Sequence, residues 1–209
     1  MPINQPDWDE RHRAIAADEP AEPATILREL LPILPSGPVL DLACGTGRHA
    51  LLMAANHHVV SAVDFSGVAL DLLQQRARLR NLSAGRVCNF PALGAPRTER
   101  VLTLQANLEQ IELPLDYFAV VVCIQYLQRS LFSEIQKTLK PGGILVFETF
   151  TRAQLELEGG PKNPAYLLET GELRTAFSAL STVFYRELRA EQAIASLVAQ
   201  KPKRTGGRP

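Results

Sequence analysis

The stretch that most constrains this chain runs from residue 39 to residue 50 and has the sequence Val-Leu-Asp-Leu-Ala-Cys-Gly-Thr-Gly-Arg-His-Ala. An apolar run leads into it, two glycines flank Thr46, and apolar residues at helical spacing follow. The pattern predicts a strand, a tight turn and a helix. Glycine suits such a turn because it adopts positive φ at little cost and lets a ligand approach the backbone. The first turn of the helix presents unpaired N–H groups to an anion, so a ligand site is predicted here.

The rest of the chain alternates strands with helices. Ser66 and Ser130 are the predicted N-caps of helices over residues 67–79 and 131–139, because serine often precedes an amphipathic run. Residues 80–99 contain glycines and prolines and are predicted to be a surface connector. Pro141-Gly142-Gly143 is predicted to end the second of these helices. Beyond the first strand, the predicted strands are residues 59–65, 101–105, 118–124, 144–150, 182–189 and 193–200.

This alternation favours a parallel sheet with right-handed crossovers, and the last two strands suit an antiparallel hairpin. The predicted fold class is α/β: a Rossmann-like three-layer sandwich with a mostly parallel seven-stranded sheet and a C-terminal antiparallel hairpin. We expect residues 24–200 to form this domain and residues 201–209 to form a basic, disordered tail. Residues 1–23 are expected to be an N-terminal lid or flexible segment, with Trp8 as either a lid residue or a surface anchor.

Composition narrows the possible partners. The formal net charge is zero, which gives no electrostatic case for nucleic acid. No apolar run approaches the roughly 20 residues of a membrane-spanning helix, and the N-terminus does not have the pattern of a signal peptide. The three cysteines lack Cys-x-x-Cys spacing, which argues against a zinc site or a disulfide framework. We therefore expect a cytoplasmic monomer or homodimer that acts on a small molecule and binds neither nucleic acid nor membrane.

Two acidic residues end the first two strands. Doubly wound folds place an acid after the second strand to accept ribose hydroxyls, and Asp64 stands at that point. The alternative is that Asp64 only caps the helix that follows. For Asp41, the alternative to ligand binding is that its carboxylate only ties down amides of the turn.

The sequence Asp-Leu-Ala-Cys-Gly-Thr-Gly-Arg resembles the first motif of the class I S-adenosylmethionine-dependent methyltransferases. The resemblance implies S-adenosyl-L-methionine as cofactor. Asn107 stands where relatives often have an adenine-binding Asp, and Ala119 also replaces a common Asp. The cofactor-binding residues that this resemblance implies are Asp41, Ala43, Cys44, Gly45, Gly47, Asp64, Phe65, Asn107, Leu108 and Ile124.

Further motifs resemble the tellurite-resistance-type methyltransferases. They are Trp-Asp-Glu-Arg near the start, Tyr-Leu-Gln-Arg, Leu-Lys-Pro-Gly-Gly, Glu-Thr-Phe, Gly-Pro-Lys-Asn-Pro and Gly-Glu-Leu. This resemblance does not settle the acceptor. The neutral chain and Arg129 beside Tyr126 favour a small acceptor, and an oxyanion such as tellurite or selenite is one candidate.

Methyl transfer from a sulfonium needs positioning rather than a catalytic triad. Tyr126 and Arg129 follow the fourth predicted strand and are the catalytic candidates, since a guanidinium fork suits an oxyanion. The alternative for Arg129 is a salt bridge at the start of a helix. His49 is either a base or a packing residue. Two other functions remain open, namely an NAD(P)-dependent reductase and a non-catalytic cofactor-binding or regulatory protein.

Overall fold

The structure is a computed structural model that describes residues 5–14, 21–90 and 98–203. The chain divides into two compact units, Met1–Glu112 and Leu113–Pro209. Within the described residues, no helix has the length and apolarity needed to cross a bilayer. Residues 204–209 of the predicted tail lie outside the described residues.

The described residues of the first unit form four parallel strands in the order β3-β4-β2-β1. The central strands are apolar and buried on both faces, which is expected for parallel strands covered on both sides. The strands are β1 (Pro38–Leu42), β2 (Val59–Asp64), β3 (Ala84–Val87) and β4 (Val101–Gln105).

Four α-helices accompany these strands in the part of this unit that the structure describes. Pro32 falls in a 3₁₀ turn that continues α2, because a proline ring is incompatible with a longer regular helix there. Ser66 caps α4, since its Oγ accepts a hydrogen bond from the Ala69 N–H at 3.1 Å, so this predicted cap is present. The helices are α1 (Gln5–Ala14), α2 (Thr25–Leu30), α3 (Arg48–Ala55) and α4 (Gly67–Leu79).

The second unit contains the strand order β5-β6-β8-β7. β5 and β6 are parallel, and the last two strands form the antiparallel hairpin that the sequence predicts. Phe147 of β6 packs against Phe132 and Phe177, with ring centroids 5.9 and 5.7 Å away. The elements are β5 (Phe118–Ile124), α5 (Leu131–Thr138), β6 (Leu139–Phe150), α6 (Glu172–Ala176), β7 (Ser181–Arg189) and β8 (Ala193–Gln200).

The fold class is confirmed, with three corrections in detail. The described residues contain eight strands rather than seven, because Ala84–Val87 pairs with β4 inside the predicted connector. Pro141-Gly142-Gly143 belongs to β6: the pairing with β5 shifts register between Phe118 and Val120, so these residues bulge without leaving the strand. Ser130 makes no side-chain cap because its backbone is already helical, and its Oγ accepts from Gln128 Nε2 at 3.0 Å.

Candidate functional site

The turn after β1 is held in an unusual backbone conformation. Ala43 has φ 53° and Gly47 has φ 88°. A Cβ on Gly47 would lie 2.0 Å from Cδ1 of the buried Leu73, so both the conformation and the space require glycine. The Cys44 N–H donates to the Val63 carbonyl of β2 at 3.0 Å, which fixes the start of the turn to the sheet. The turn therefore presents its backbone in one defined arrangement at the start of α3.

Asp41 lies beneath this turn and is almost completely buried. Its carboxylate accepts a hydrogen bond from the Ala50 N–H, in the first turn of α3. Within the described part of the chain, no donor reaches Oδ2, which is itself buried. Burial raises the pKa of Asp41 to about 7, against the Ala50 hydrogen bond and the charge of Arg48. A buried acceptor without a donor is rare and marks a place where a ligand can supply one.

Asp64 ends β2 and holds both sides of the same turn. Its Oδ2 accepts from the Gly45 N–H at 2.7 Å, and its Oδ1 accepts from the Ser66 N–H at 2.9 Å. Burial raises the pKa of Asp64, although these two hydrogen bonds act in the opposite direction. The carboxylate thus organises the turn and the start of α4. A backbone hydrogen bond from Phe65 also lowers the pKa of Asp64, so the carboxylate keeps one of its four lone pairs, and a role toward ribose hydroxyls stays a prediction.

The helix α1 packs on α4 within the first unit. Asp9 Oδ1 accepts from Ser66 Oγ at 2.5 Å, and this bond lowers the pKa of Asp9. The His12 ring lies over the turn, with Cε1 3.7 Å from the position of a Cβ on Gly45. Its Nδ1 is buried and has no hydrogen-bond partner among the described residues. Burial lowers the pKa of His12, while Asp64 and Asp9 oppose this shift.

Sequence reasoning did not single out Asp9 or His12 as site residues, although the Trp-Asp-Glu-Arg motif contains Asp9 and ends just before His12. Trp8 is 37% exposed and stacks on His12 at a centroid distance of 6.0 Å. Its role as lid or anchor stays a prediction.

Three more predicted residues lie in the first unit. Asn107 Oδ1 accepts from the Glu109 N–H at 3.0 Å, and Leu108 is buried. The Phe65 carbonyl accepts from Gln105 Nε2 at 3.3 Å. Asn107 thus uses its carbonyl oxygen locally, as an Asx turn does, and its adenine-binding role stays a prediction.

His49 is a packing histidine rather than a base. Its ring is buried, and Nε2 accepts from the Ala24 N–H at 3.3 Å. Burial, together with the charge of Arg48, lowers the pKa of His49 to about 3. The imidazole is therefore neutral near pH 7, and one of its nitrogens is already occupied.

The remaining predicted residues lie in the second unit, after β5. Ile124 is buried, and Tyr126 is half-buried. Gln125 has φ 58°, and its N–H donates to the Glu148 carbonyl of β6 at 2.7 Å. A non-glycine residue in this region of φ is uncommon and often accompanies a functional site.

All three guanidinium nitrogens of Arg129 donate hydrogen bonds within the second unit. Nε and Nη2 donate to the two carboxylate oxygens of Glu172 at 2.6 and 2.9 Å. Nη1 donates to the Ala165 carbonyl at 3.0 Å, and Nη2 also donates to the Leu167 carbonyl at 2.9 Å. The hydrogen bond to Glu172 raises the pKa of Arg129. The ion pair that sequence analysis left as an alternative is present, although Glu172 lies far along the chain.

Comparisons with known proteins agree with this geometry. The profile of a family described as "Methyltransferase domain" matches residues 40–147. A mitochondrial ubiquinone biosynthesis O-methyltransferase from Schizosaccharomyces pombe is 31% identical over 121 residues, which cover 56% of this chain and 39% of that protein. A putative methyltransferase, YqeM, from Bacillus subtilis is 28% identical over 121 residues, or 54% of this chain and 42% of that protein. The matched region spans about two fifths of the length of these curated relatives.

A solved structure, TehB from Haemophilus influenzae, is similar in fold. The TM-score is 0.67 at 15% identity, and the match covers 94% of this chain and 66% of that one. At this identity the likeness bears on the fold alone.

Proposed function

Because this chain belongs to the methyltransferase domain family, we propose that it transfers a methyl group from S-adenosyl-L-methionine to a small-molecule acceptor. The family match confirms the class-level prediction, with S-adenosyl-L-methionine as cofactor. The observation that carries the proposal is Asp41 Oδ2, a buried acceptor beneath the turn between β1 and α3 that no donor of the described residues reaches.

The residues of the first unit fit the cofactor's chemistry. Its ammonium group is a donor that suits Asp41 Oδ2, and its methionine carboxylate suits the amides in the first turn of α3. A ribose hydroxyl suits the remaining lone pair of Asp64. Gly45 carries no side chain, and the His12 ring packs over it, with Cε1 3.7 Å from the position of a Cβ. The proposed cofactor residues of this unit are Asp41, Ala43, Cys44, Gly45, Gly47, Asp64, Phe65, Asn107 and Leu108. The role of Ile124 stays a prediction from the sequence.

The bound cofactor supplies an electrophilic methyl group on a sulfonium, so the protein has to bind and orient the reactants. The two carboxylates near the turn suit this role in different ways. Asp64 accepts hydrogen bonds from Gly45 and Ser66 and so fixes the turn, whereas no described donor reaches Asp41 Oδ2. Such preorganisation lowers the cost of ordering the site when the ligand binds.

The acceptor is proposed to be a small molecule. An oxyanion such as tellurite or selenite is supported by the tellurite-resistance-type motifs. An organic hydroxyl compound that is methylated on oxygen is supported by the relative whose name states O-methyl transfer. Arg129 is poorly suited to bind a free oxyanion because Glu172 and two carbonyls occupy four of its five N–H groups. We propose that it positions the segment 165–172, and that Tyr126 contacts the acceptor.

Calorimetry with S-adenosylhomocysteine, S-adenosylmethionine and NADH tests the cofactor proposal. We expect the first two to bind and NADH not to bind. Asp64→Ala is expected to weaken S-adenosylhomocysteine binding by about 1.5–3 kcal/mol, the scale of hydrogen bonds to a charged group. Asp71→Ala is the matched control, since Asp71 pairs with Arg86 on the exposed side of α4. Binding of NADH alone would reverse the proposal, and unchanged affinity in folded Asp64→Ala would remove Asp64 from the site.

Methyl transfer from labelled S-adenosylmethionine tests the acceptor class. The panel contains tellurite, selenite, thiols, phenols, RNA and a protein extract. Label in a small molecule is the expected result. Label mainly in RNA or protein contradicts it, and label in none of them returns the non-catalytic alternative, which no structural observation favours.

A further inference from the structure

A row of side chains crosses the second unit at the level where β5 ends. Ile124, Glu148, Ser196 and Arg186 are register partners on β5, β6, β8 and β7, so their side chains share one face. Glu148 is only 8% exposed, and Ser196 is completely buried. Acidic residues are almost never this buried unless they are paired. Glu148 is also the acid of the Glu-Thr-Phe motif, to which sequence analysis assigned no role.

The partners of Glu148 hold it through one oxygen. Ser196 Oγ donates to Glu148 Oε2 at 2.6 Å, and Arg186 Nε donates to Ser196 Oγ at 3.4 Å. Arg186 Nη2 lies 4.0 Å from the same Oε2, and its guanidinium carbon lies 5.7 Å from the centre of the Phe184 ring. The arginine therefore reaches the carboxylate mainly through the serine hydroxyl, without a direct bidentate pair.

The other oxygen, Oε1, has a different environment. No hydrogen bond from the described residues reaches it, yet it is not among the fully buried atoms that lack a partner. It is therefore an accessible acceptor on a side chain that is otherwise enclosed. It also lies level with the end of β5, and ligands of α/β sheets bind beyond the carboxyl ends of the parallel strands.

The surroundings restrict what this oxygen can bind. The positive charge of Arg186 offsets much of the negative charge of Glu148. The carboxylate therefore attracts a cation only weakly, and a neutral hydrogen-bond donor suits Oε1 better. An oxyanion would face the bare carboxylate oxygen and be repelled. Phe184 and Leu188 lie on the same face of β7 as Arg186 and are 41% and 45% exposed, so the neighbourhood is apolar.

We propose that Glu148 is an acceptor-binding residue whose Oε1 accepts a hydrogen bond from the hydroxyl group of a neutral alcohol or phenol with an apolar body. The inference rests on the proposed function, because it treats that hydroxyl compound as the methyl acceptor. Ser196 and Arg186 are positioning residues that keep Oε2 occupied, so that Oε1 faces the ligand. An oxyanion substrate is disfavoured by the same geometry.

The test uses the full chain and a matched pair of ligands, phenol and anisole, which differ in the hydroxyl donor. NMR titration is expected to give phenol an affinity about tenfold higher than anisole, the effect of one hydrogen bond to a charged acceptor. Glu148→Met keeps the side-chain volume without an acceptor and should reduce that ratio to nearly one. Glu148→Gln can still form a hydrogen bond with Ser196, so it is the variant expected to keep the fold. It should give an intermediate ratio of phenol to anisole affinity. Glu158→Gln, at an exposed position, is the control and should leave the ratio unchanged.

The outcomes separate this inference from the proposed function. Equal affinities for phenol and anisole, a preference that survives in Glu148→Met, or selenite that competes with phenol would each overturn the inference. S-adenosylhomocysteine binding is measured by calorimetry on the same samples. If it binds while phenol shows no preference, only the inference fails. If it does not bind, the proposed function fails, and a phenol preference that depends on Glu148 would not mark a methyl acceptor.

Discussion

The turn after β1 and the turn after β5 begin in the same way and are held by opposite charges. Each starts with a non-glycine residue at positive φ, Ala43 at 53° and Gln125 at 58°. In each, an N–H in the turn donates to the neighbouring parallel strand, Cys44 to Val63 and Gln125 to Glu148. The first turn is then fixed by the carboxylate of Asp64, and the segment after the second by the guanidinium of Arg129.

This difference decides what each turn can bind. A carboxylate holds amide N–H groups and keeps a spare lone pair, so a ligand with donors can join the same network. A guanidinium has only donors, and four of the five N–H groups of Arg129 are occupied by Glu172 and by backbone carbonyls. The first turn therefore keeps open binding capacity, whereas Arg129 uses its donors to hold a protein segment.

The largest expected effect comes from the glycine that begins α3. Gly47→Ala places a Cβ 2.0 Å from Leu73 Cδ1 and keeps φ at 88°. Backbone strain and overpacking each cost about 1–3 kcal/mol, so we expect the free energy of unfolding to fall by about 4 kcal/mol in urea titrations. Gly159→Ala is the control, because its φ is 66° but no atom lies within 4 Å. It should lose only about 1 kcal/mol, and equal losses in both variants would rule out the Leu73 contact as the cause.

The pH dependence of Asp41 is the next effect in size. Its pKa is about 7 in the folded state, against 3.8 for an ordinary carboxyl group. An acid with a raised pKa stabilises the fold when protonated, so its contribution is complete below about pH 4 and is lost as the pH rises through about 7. Relative to Asp41→Asn, the wild type should lose about 2–4 kcal/mol of unfolding free energy across this window. Parallel stability curves for the two proteins between about pH 4 and pH 8 would contradict this assignment.

Substitution of Arg129 should change the free energy of unfolding by a smaller amount. Arg129→Ala is expected to lower the free energy of unfolding by about 1–2 kcal/mol, because its side chain is 44% exposed and solvent screens part of the ion pair. Limited proteolysis should show faster cleavage within residues 157–170. Arg129→Lys should recover only part of the lost unfolding free energy, since lysine lacks the planar guanidinium group.

The control for this change is Arg189→Ala, which removes an exposed pair with Glu156 and should cost less than about 1 kcal/mol. S-adenosylhomocysteine affinity should be nearly unchanged in Arg129→Ala. A variant with unaltered stability and cleavage but lost methyl transfer would instead make Arg129 a ligand of the acceptor.

The smallest effect is expected at the first residue of the first turn. Ala43→Gly removes the backbone strain of a non-glycine residue at positive φ, which is about 1–2 kcal/mol. Glycine also increases the backbone entropy of the unfolded chain, which offsets part of this gain. We expect a net gain of less than about 1 kcal/mol in thermal and urea unfolding. Ala54→Gly, inside α3, should lose about 1 kcal/mol because its backbone is helical. A loss at Ala43 equal to that at Ala54 would show that the turn stores no strain.

The two serine caps show where local sequence is enough and where it is not. Ser66 and Ser130 both precede an amphipathic run, yet only Ser66 caps a helix. Ser66 has an extended backbone, ψ 115°, which points its Oγ at the Ala69 N–H. Ser130 has ψ −22°, so its own residue already continues the helical geometry. The sequence pattern does not specify ψ at the cap, and the preceding chain path sets it.

The additional strand has a similar explanation. Ala84–Val87 has little apolar alternation, and only Val87 is buried. Its strand conformation comes from pairing with β4, which follows more than ten residues later. A short edge strand of this kind carries almost no local signal, because the partner rather than its own side chains stabilises it.

The sequence by itself determined the order of the strands other than β3, the glycine turn and the two acids near the ends of β1 and β2. These follow from periodicity and from backbone preferences, which act over a few residues. Only the tertiary structure decided what those groups bind. Asp64 reaches back 19 residues to Gly45, Arg129 reaches 43 residues to Glu172, and Ser196 meets Glu148 across 48 residues. Such contacts depend on strand order and register. The burial of Asp41 Oδ2 without a donor from the described residues, and the enclosure of Glu148 through Oε2, are therefore properties of the folded chain.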